Sequence, residues 1–270
     1  MSLFKTIIRG LNRTKTIAVF LFIFFVSIFA FYIQASLNFG IPTVALRSAY
    51  ENTLFTALES RFIMLIISLI GPLIISFAFG DIYFDDLESN CVSLILTRQS
   101  KRKYHRNNLL AVFILSFLIM LIPLLINLVL CLFTYPLEGL DNSTLTPAFV
   151  INLPIGNYIQ CLKALNPFAY NMFYIITPSI IFALFACITY CLSVIIKVNK
   201  YLCCLISYGL YIASNIILDK LHLEKYKFFS YINILSPNEG ISGFIKISVI
   251  LIVIILALYI IGVNKEVEVN

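Results

Sequence analysis

Asp85, Asp86 and Glu88 are followed by Arg98, Lys101, Arg102, Lys103 and Arg106 in the stretch DIYFDDLESNCVSLILTRQSKRKYHR, residues 81–106. Only 12% of the chain is charged, so this is a concentration. These carboxylates stand in no triad-like order with a histidine and a nucleophile, and opposite charges in one stretch suit recognition of a charged surface. The acids come first and the bases last, an order that complements the dipole of a short helix, and VSLIL between them offers apolar surface. Bases beside a membrane span serve topology alone, so it is the acids that call for a partner.

Other candidate chemistry is sparse. The chain has no GxxxxGK[ST] phosphate loop, no HExxH, no GxSxG and no paired carboxylates inside an apolar run. His105 and His222 read as solvated side chains in hydrophilic loops, without the partners of a triad. The seven cysteines are odd in number. Cys187 and Cys191 share a helix face but lack further ligands, so they read as small packing residues rather than metal ligands or a disulfide framework. No cofactor is expected in this chain.

The elements that must position the charged stretch are membrane spans. Of the 270 residues 61% are hydrophobic, and the mean hydropathy is +0.98. Apolar blocks run over Thr16–Ile33, Phe62–Gly80, Asn108–Phe133, Asn171–Ile196, Tyr201–Leu218 and Phe244–Gly262. Each approaches the roughly 20 residues that a helix needs to cross about 30 Å of hydrocarbon. Runs such as AVFLFIFFVSIFAF are apolar on every side, which excludes the alternation of a transmembrane barrel. The expected fold is an all-α integral membrane protein of six transmembrane helices.

With six spans both termini share a side, and that side takes twelve of the nineteen Lys and Arg residues. The positive-inside bias places it in the cytoplasm. The net charge of +6 then reflects basic residues beside an anionic leaflet and implies no nucleic acid. In MSLFKTIIRGLNRTK, Lys5, Arg9 and Arg13 share one helix face and Leu3, Phe4, Ile7, Ile8 and Leu11 the opposite one, so residues 1–15 form an amphipathic helix in the inner interface. The same bases would also serve simply to orient the first span. Gly71-Pro72 breaks the second span, and Pro123 and Pro178 kink two others.

The span centres carry no ionisable residue, unlike self-powered carriers, which keep costly charges at the midplane for coupling. Energy must come from outside the membrane. The charged stretch after the second span resembles that of permease subunits of type-2 ABC transporters, particularly small bacterial exporters of peptides or antibiotics. Asp85, Asp86 and Glu88 match the acids of that family's pattern, NCVSLIL its Gly-Thr-Leu-like step and apolar patch, and TRQSKRKY its basic end. Asn90 stands where glycine is usual, Gln99 replaces a frequent proline, and Asn107 and Asn108 stand where a lysine is customary. LNPFAY and LSPNEG resemble Pro-containing external turns of such permeases.

The resemblance implies one permease domain over residues 1–270, with residues 81–107 as the segment that docks on cytosolic ABC ATPase subunits. Its contact residues would be Asp85, Asp86, Glu88, Asn90, Arg98, Lys101 and Arg102. ATP and Mg would be bound by those partners, and a second permease copy or a homologous permease would complete a dimer in the bacterial plasma membrane. An amphipathic or hydrophobic cargo, a peptide or antibiotic, would suit the apolar spans. The rival expectation is a non-transporting assembly or sensor component, or an intramembrane enzyme. The external segments, Gln34–Arg61, Thr134–Tyr170 and Asp219–Gly243, are too short for a receptor domain, and NLPIGNYIQCLKALNPFAY is apolar enough to dip into the bilayer.

Overall fold

The computed structural model describes residues 3–42, 46–57, 59–80, 82–89, 92, 97, 99–137, 162–163, 165–196, 199–234, 236 and 238–268, with side chains as far as Asn264. All regular structure among them is helical. The α-helices are α1 (Leu3–Leu11), α2 (Thr14–Leu37), α3 (Arg61–Phe79), α4 (Ile82–Glu88), α5 (Lys101–Thr134), α6 (Pro167–Ile196), α7 (Lys200–Lys220) and α8 (Ile241–Glu268). Short 3-10 turns lie at Ala49–Glu51, Glu224–Tyr226 and Phe229–Tyr231. Among the described residues six helices are long and apolar enough to cross a membrane: α2, α3 running into α4, α5, α6, α7 and α8. The chain is a multi-pass membrane protein.

A helix that is apolar on every side belongs inside. α6 takes that place, with 83% of its most apolar window buried and α3, α5, α7 and α8 packed around it. The windows of α7 and α8 are only 22% and 17% buried, which leaves their apolar sides for lipid. Small residues permit close approach between spans: a Cβ on Gly71 of α3 would stand 2.5 Å from the Phe182 ring of α6.

Pro72 does not break the second span, because α3 is continuous across it. Proline lacks the N–H that would bond the carbonyl of Ser68. The Tyr211 hydroxyl of α7 donates to that carbonyl at 2.8 Å instead, so a neighbouring helix satisfies the group. Pro123 and Pro178 likewise lie inside α5 and α6.

Residues 81–106 do not form one short helix. The acids lie on α4, while Lys101, Arg102 and Lys103 open α5, which begins at Lys101 rather than at Asn108. Cations at an amino end oppose the helix dipole, worth about 0.3–1 kcal/mol each. The buried face of α5 extends back through Tyr104, His105, Asn107 and Asn108, and the bonds made there, Tyr104 to Asp86 and His105 to Tyr190, outweigh the dipole. His105 is therefore a buried helical residue, not the solvated loop side chain expected.

At the other end of the bundle a loop is inserted between spans. Ala49, Asn52, Thr53, Leu54, Phe55 and Ala57 are all buried. Asn127 of α5 accepts from the Leu54 N–H at 2.9 Å and donates to the Ser27 carbonyl of α2 at 2.9 Å. Asn171 of α6 donates to the Tyr50 carbonyl at 3.0 Å and accepts from the Thr53 hydroxyl at 2.8 Å. Backbone that enters a span region needs such partners. The segment expected to dip, residues 152–170, lies mostly outside the described residues.

Near the same end the Tyr226 hydroxyl donates to Glu239 at 2.5 Å and Lys246 bonds that carboxylate at 3.0 Å. First the tyrosine and then the lysine hold the Glu239 carboxyl below its ordinary value of 4.5. A depressed carboxyl stabilises the fold above its unfolded value and loses that contribution as pH falls through the folded one. A thermal scan from pH 7 to pH 3 should therefore show a smaller acid loss in Tyr226→Phe than in the parent.

Candidate coupling site at the charged end

α1 recurs Thr6, Gly10 on one side and Phe4, Ile8, Leu11 on another. Thr6 and Gly10 are buried, and the side chains of Phe4, Ile8 and Leu11 are exposed. α1 packs along α5, where Gly10 lies against Leu115 with no room for a Cβ. The turn at Asn12 then leaves Arg13 extended (φ −78°, ψ 131°) as the residue before α2. Arg9 and Arg13 thus sit at two levels beside α4.

α4 follows α3 almost without a break, since Gly80 keeps helical angles (φ −64°, ψ −20°) and bonds the Ser76 carbonyl at 2.7 Å. It buries Ile82, Tyr83, Phe84 and Asp86 and packs on α6. Asp86 is 6% exposed. It receives Arg9 in a two-pronged pair, Nη1 to Oδ1 at 2.9 Å and Nη2 to Oδ2 at 3.0 Å, and the Tyr104 hydroxyl donates to Oδ2 at 2.5 Å. Bidentate guanidinium–carboxylate pairs are among the strongest side-chain contacts, and a carboxylate this buried needs one. Asp85 pairs with Arg13. Glu88, 69% exposed at its side chain, is 3.9 Å from Lys200 at the start of α7.

Behind these pairs the Tyr83 and Tyr104 rings flank His105, at 5.7 and 4.9 Å between centroids, and His105 Nδ1 meets the Tyr190 hydroxyl of α6 at 3.0 Å. Among the described residues no three His, Cys, Asp or Glu side chains converge as metal ligands. A cavity of about 300 Å³ lies between α1, α4 and α5, with Arg9, Arg13, Asp85, Asp86 and Asn108 in its wall.

Of the residues singled out in the sequence, Asp85, Asp86 and Glu88 come together on α4 and Lys101 and Arg102 stand at the start of α5. The Arg102 carbonyl accepts from the Tyr259 hydroxyl of α8 at 2.9 Å. Asn90 and Arg98 fall outside the described residues. The partners that sequence reasoning missed are Arg9 and Arg13, read there as the basic face of an interfacial helix or as bases that orient the first span, together with Tyr104, His105 and Tyr190. The four-residue spacing of the two arginines was visible, but nothing in the sequence said that α4 lies beside them. The arrangement ties α1 to the end of the second span through the Arg9–Asp86 pair, and the start of α2 to it through the Arg13–Asp85 pair. No protein-family model, curated protein or solved structure matches the chain.

Proposed function

We propose that this chain is the membrane-spanning permease subunit of an ATP-binding-cassette exporter, moving an amphipathic or hydrophobic cargo such as a peptide with ATP hydrolysed by separate cytosolic subunits. The observation that carries the reading is α4, a continuation of the second span that bears Asp85, Asp86 and Glu88 and is bound to α1 by Arg9 and to the start of α2 by Arg13. A push on this end would move α1 and α3 together, and a rocking bundle requires that kind of rigid link. On this reading Glu88, Lys101 and Arg102 face the ATPase, Asp86 passes the movement to α1 through Arg9, and Asp85 passes it to the start of α2 through Arg13. The charged end and both termini lie in the cytoplasm.

Internal pairing also means that Asp85 and Asp86 have partners without an ATPase, which favours the rival reading of a non-transporting assembly component. Copurification from native membranes separates the two. An ABC ATPase should accompany the chain, and the purified chain alone should hydrolyse no ATP above background. Hydrolysis by a preparation free of other subunits, or a stable partner of another kind, would overturn the permease reading. Orientation is checked with single reporter cysteines in a cysteine-free background: an impermeant reagent applied outside should label Glu224→Cys and spare Ser100→Cys.

A further inference from the structure

Gly71-Pro72 makes a weak point near the middle of α3. Pro72 offers no N–H to the Ser68 carbonyl, and Gly71 beside it is a poor helix former, so this is where the second span would bend. The missing bond comes from another helix, the buried Tyr211 hydroxyl of α7 at 2.8 Å, and α3 stays continuous.

The Tyr211 ring is itself held by the segment that joins α7 to α8. Phe228 of that segment is buried; its ring stacks on Tyr211 at 6.0 Å between centroids and meets Phe185 of α6 edge-on at 5.2 Å, and Tyr211 meets the same Phe185 at 5.2 Å. Such ring pairs are attractive beyond the area they bury. Asn215, one turn beyond Tyr211, accepts from the Phe229 N–H at 3.1 Å and donates to the Tyr211 carbonyl at 2.8 Å, so the segment is fastened to the turn that carries the tyrosine. We infer that the Tyr211 hydroxyl is a latch on a proline hinge in the second span, and that Phe228 sets it. With Phe228 seated, the tyrosine ring is fixed and its hydroxyl holds the Ser68 carbonyl. With Phe228 withdrawn, one face of the ring is free, the hydroxyl leaves the carbonyl, and the half of α3 before Pro72 tilts away from α7. Movement of the connecting segment at one end of the bundle thereby reaches the span that continues into α4 and its acids at the other. The hinge stands whether or not an ATPase docks at that end.

Distances between spin labels at Phe62→Cys of α3 and Ile217→Cys of α7, both exposed, test the inference in the full chain freed of its other cysteines. The arm from Phe62 to Pro72 is about 15 Å long, so a tilt of about 20° displaces its label by about 5 Å. Tyr211→Phe keeps the ring and loses the hydroxyl. It should add a population about 5 Å longer, weighted at least about threefold more than in the parent, the factor set by one hydrogen bond between membrane helices. Adding Pro72→Ala should remove that population, because the alanine N–H bonds the Ser68 carbonyl from within α3. Phe228→Ala should produce the longer population with Tyr211 and Pro72 both intact, and Pro72→Ala should remove it there too. An unchanged distance in Tyr211→Phe overturns the latch. A longer population that survives Pro72→Ala overturns the hinge in favour of looser packing between α3 and α7. An unchanged distance in Phe228→Ala overturns control by the connecting segment.

Discussion

Asp85→Lys combined with Asp86→Lys is expected to free α1 from the bundle. Asp86 is buried and accepts from Arg9 and Tyr104, so a lysine there removes three hydrogen bonds and sets like charges against each other. Hydrogen bonds to a charged group contribute about 1.5–3 kcal/mol, and breaking a buried pair costs about 3–5 kcal/mol. Arg9 is a third exposed, and Asp85 more so, so solvent screening puts the loss for the pair of substitutions nearer about 2–3 kcal/mol. Amide hydrogen exchange over residues 3–13 should rise by more than tenfold, since 1.4 kcal/mol corresponds to a factor of 10. Glu59→Lys, exposed at the other end of the bundle, should leave α1 unchanged.

The charge-swapped variant Arg9→Asp with Asp86→Arg keeps an ion pair at the same place and should recover much of the protection of α1. Under the permease reading, the swap also separates two roles of the acids. If ATPase association returns with the swap, Asp86 acts through α1; if it stays lost, the ATPase reads the acid itself. Unchanged exchange over residues 3–13 in the double lysine variant would show that the ion pairs do not hold α1.

The second large effect is expected at the other end of the bundle. Asn127→Leu preserves side-chain size but removes the acceptor of the Leu54 N–H and the donor to the Ser27 carbonyl. Each buried backbone group left unpaired costs about 1–3 kcal/mol. The measured value within membranes is smaller, about 0.6 kcal/mol on average, because the unfolded chain also finds partners. The loss should lie near 1–3 kcal/mol, read as a lower unfolding temperature in detergent, and a cysteine at Thr53, buried in the parent, should become reactive. Ser36→Ala, an exposed hydroxyl bonded to its own helix, serves as the control and should change neither. A Thr53→Cys thiol that remains protected in the Asn127→Leu background would show that packing, not hydrogen bonding, holds the inserted loop.

The span positions were legible in the sequence because hydrocarbon imposes a length and leaves backbone hydrogen bonding to helices. Runs such as ISVILIVIILALYIIG admit little else. The sequence also showed the acids of 85–88 and the bases of 98–106 as a charge concentration, and the two faces of residues 3–13. Local patterns carry that much: composition per span, period within a helix and sign along a segment. The proline reading failed because it was local too. Whether Pro72 breaks a helix depends on who bonds the Ser68 carbonyl, and Tyr211 stands well over a hundred residues away in the chain.

Tertiary structure alone decided which charges meet. Arg9 and Asp86 are 77 residues apart, and Arg13 and Asp85 are 72 apart. No periodicity reaches across a span to pair them. It also decided that His105 turns inward to Tyr190, that α6 rather than another equally apolar span becomes the centre, and that residues 49–57 fill the other end. All six spans satisfy the same hydropathy rule, so lipid does not rank them. The ranking comes from side-chain fit, such as Gly71 against Phe182, and from buried amides such as Asn127 and Asn171 that find their partners only once the helices have packed.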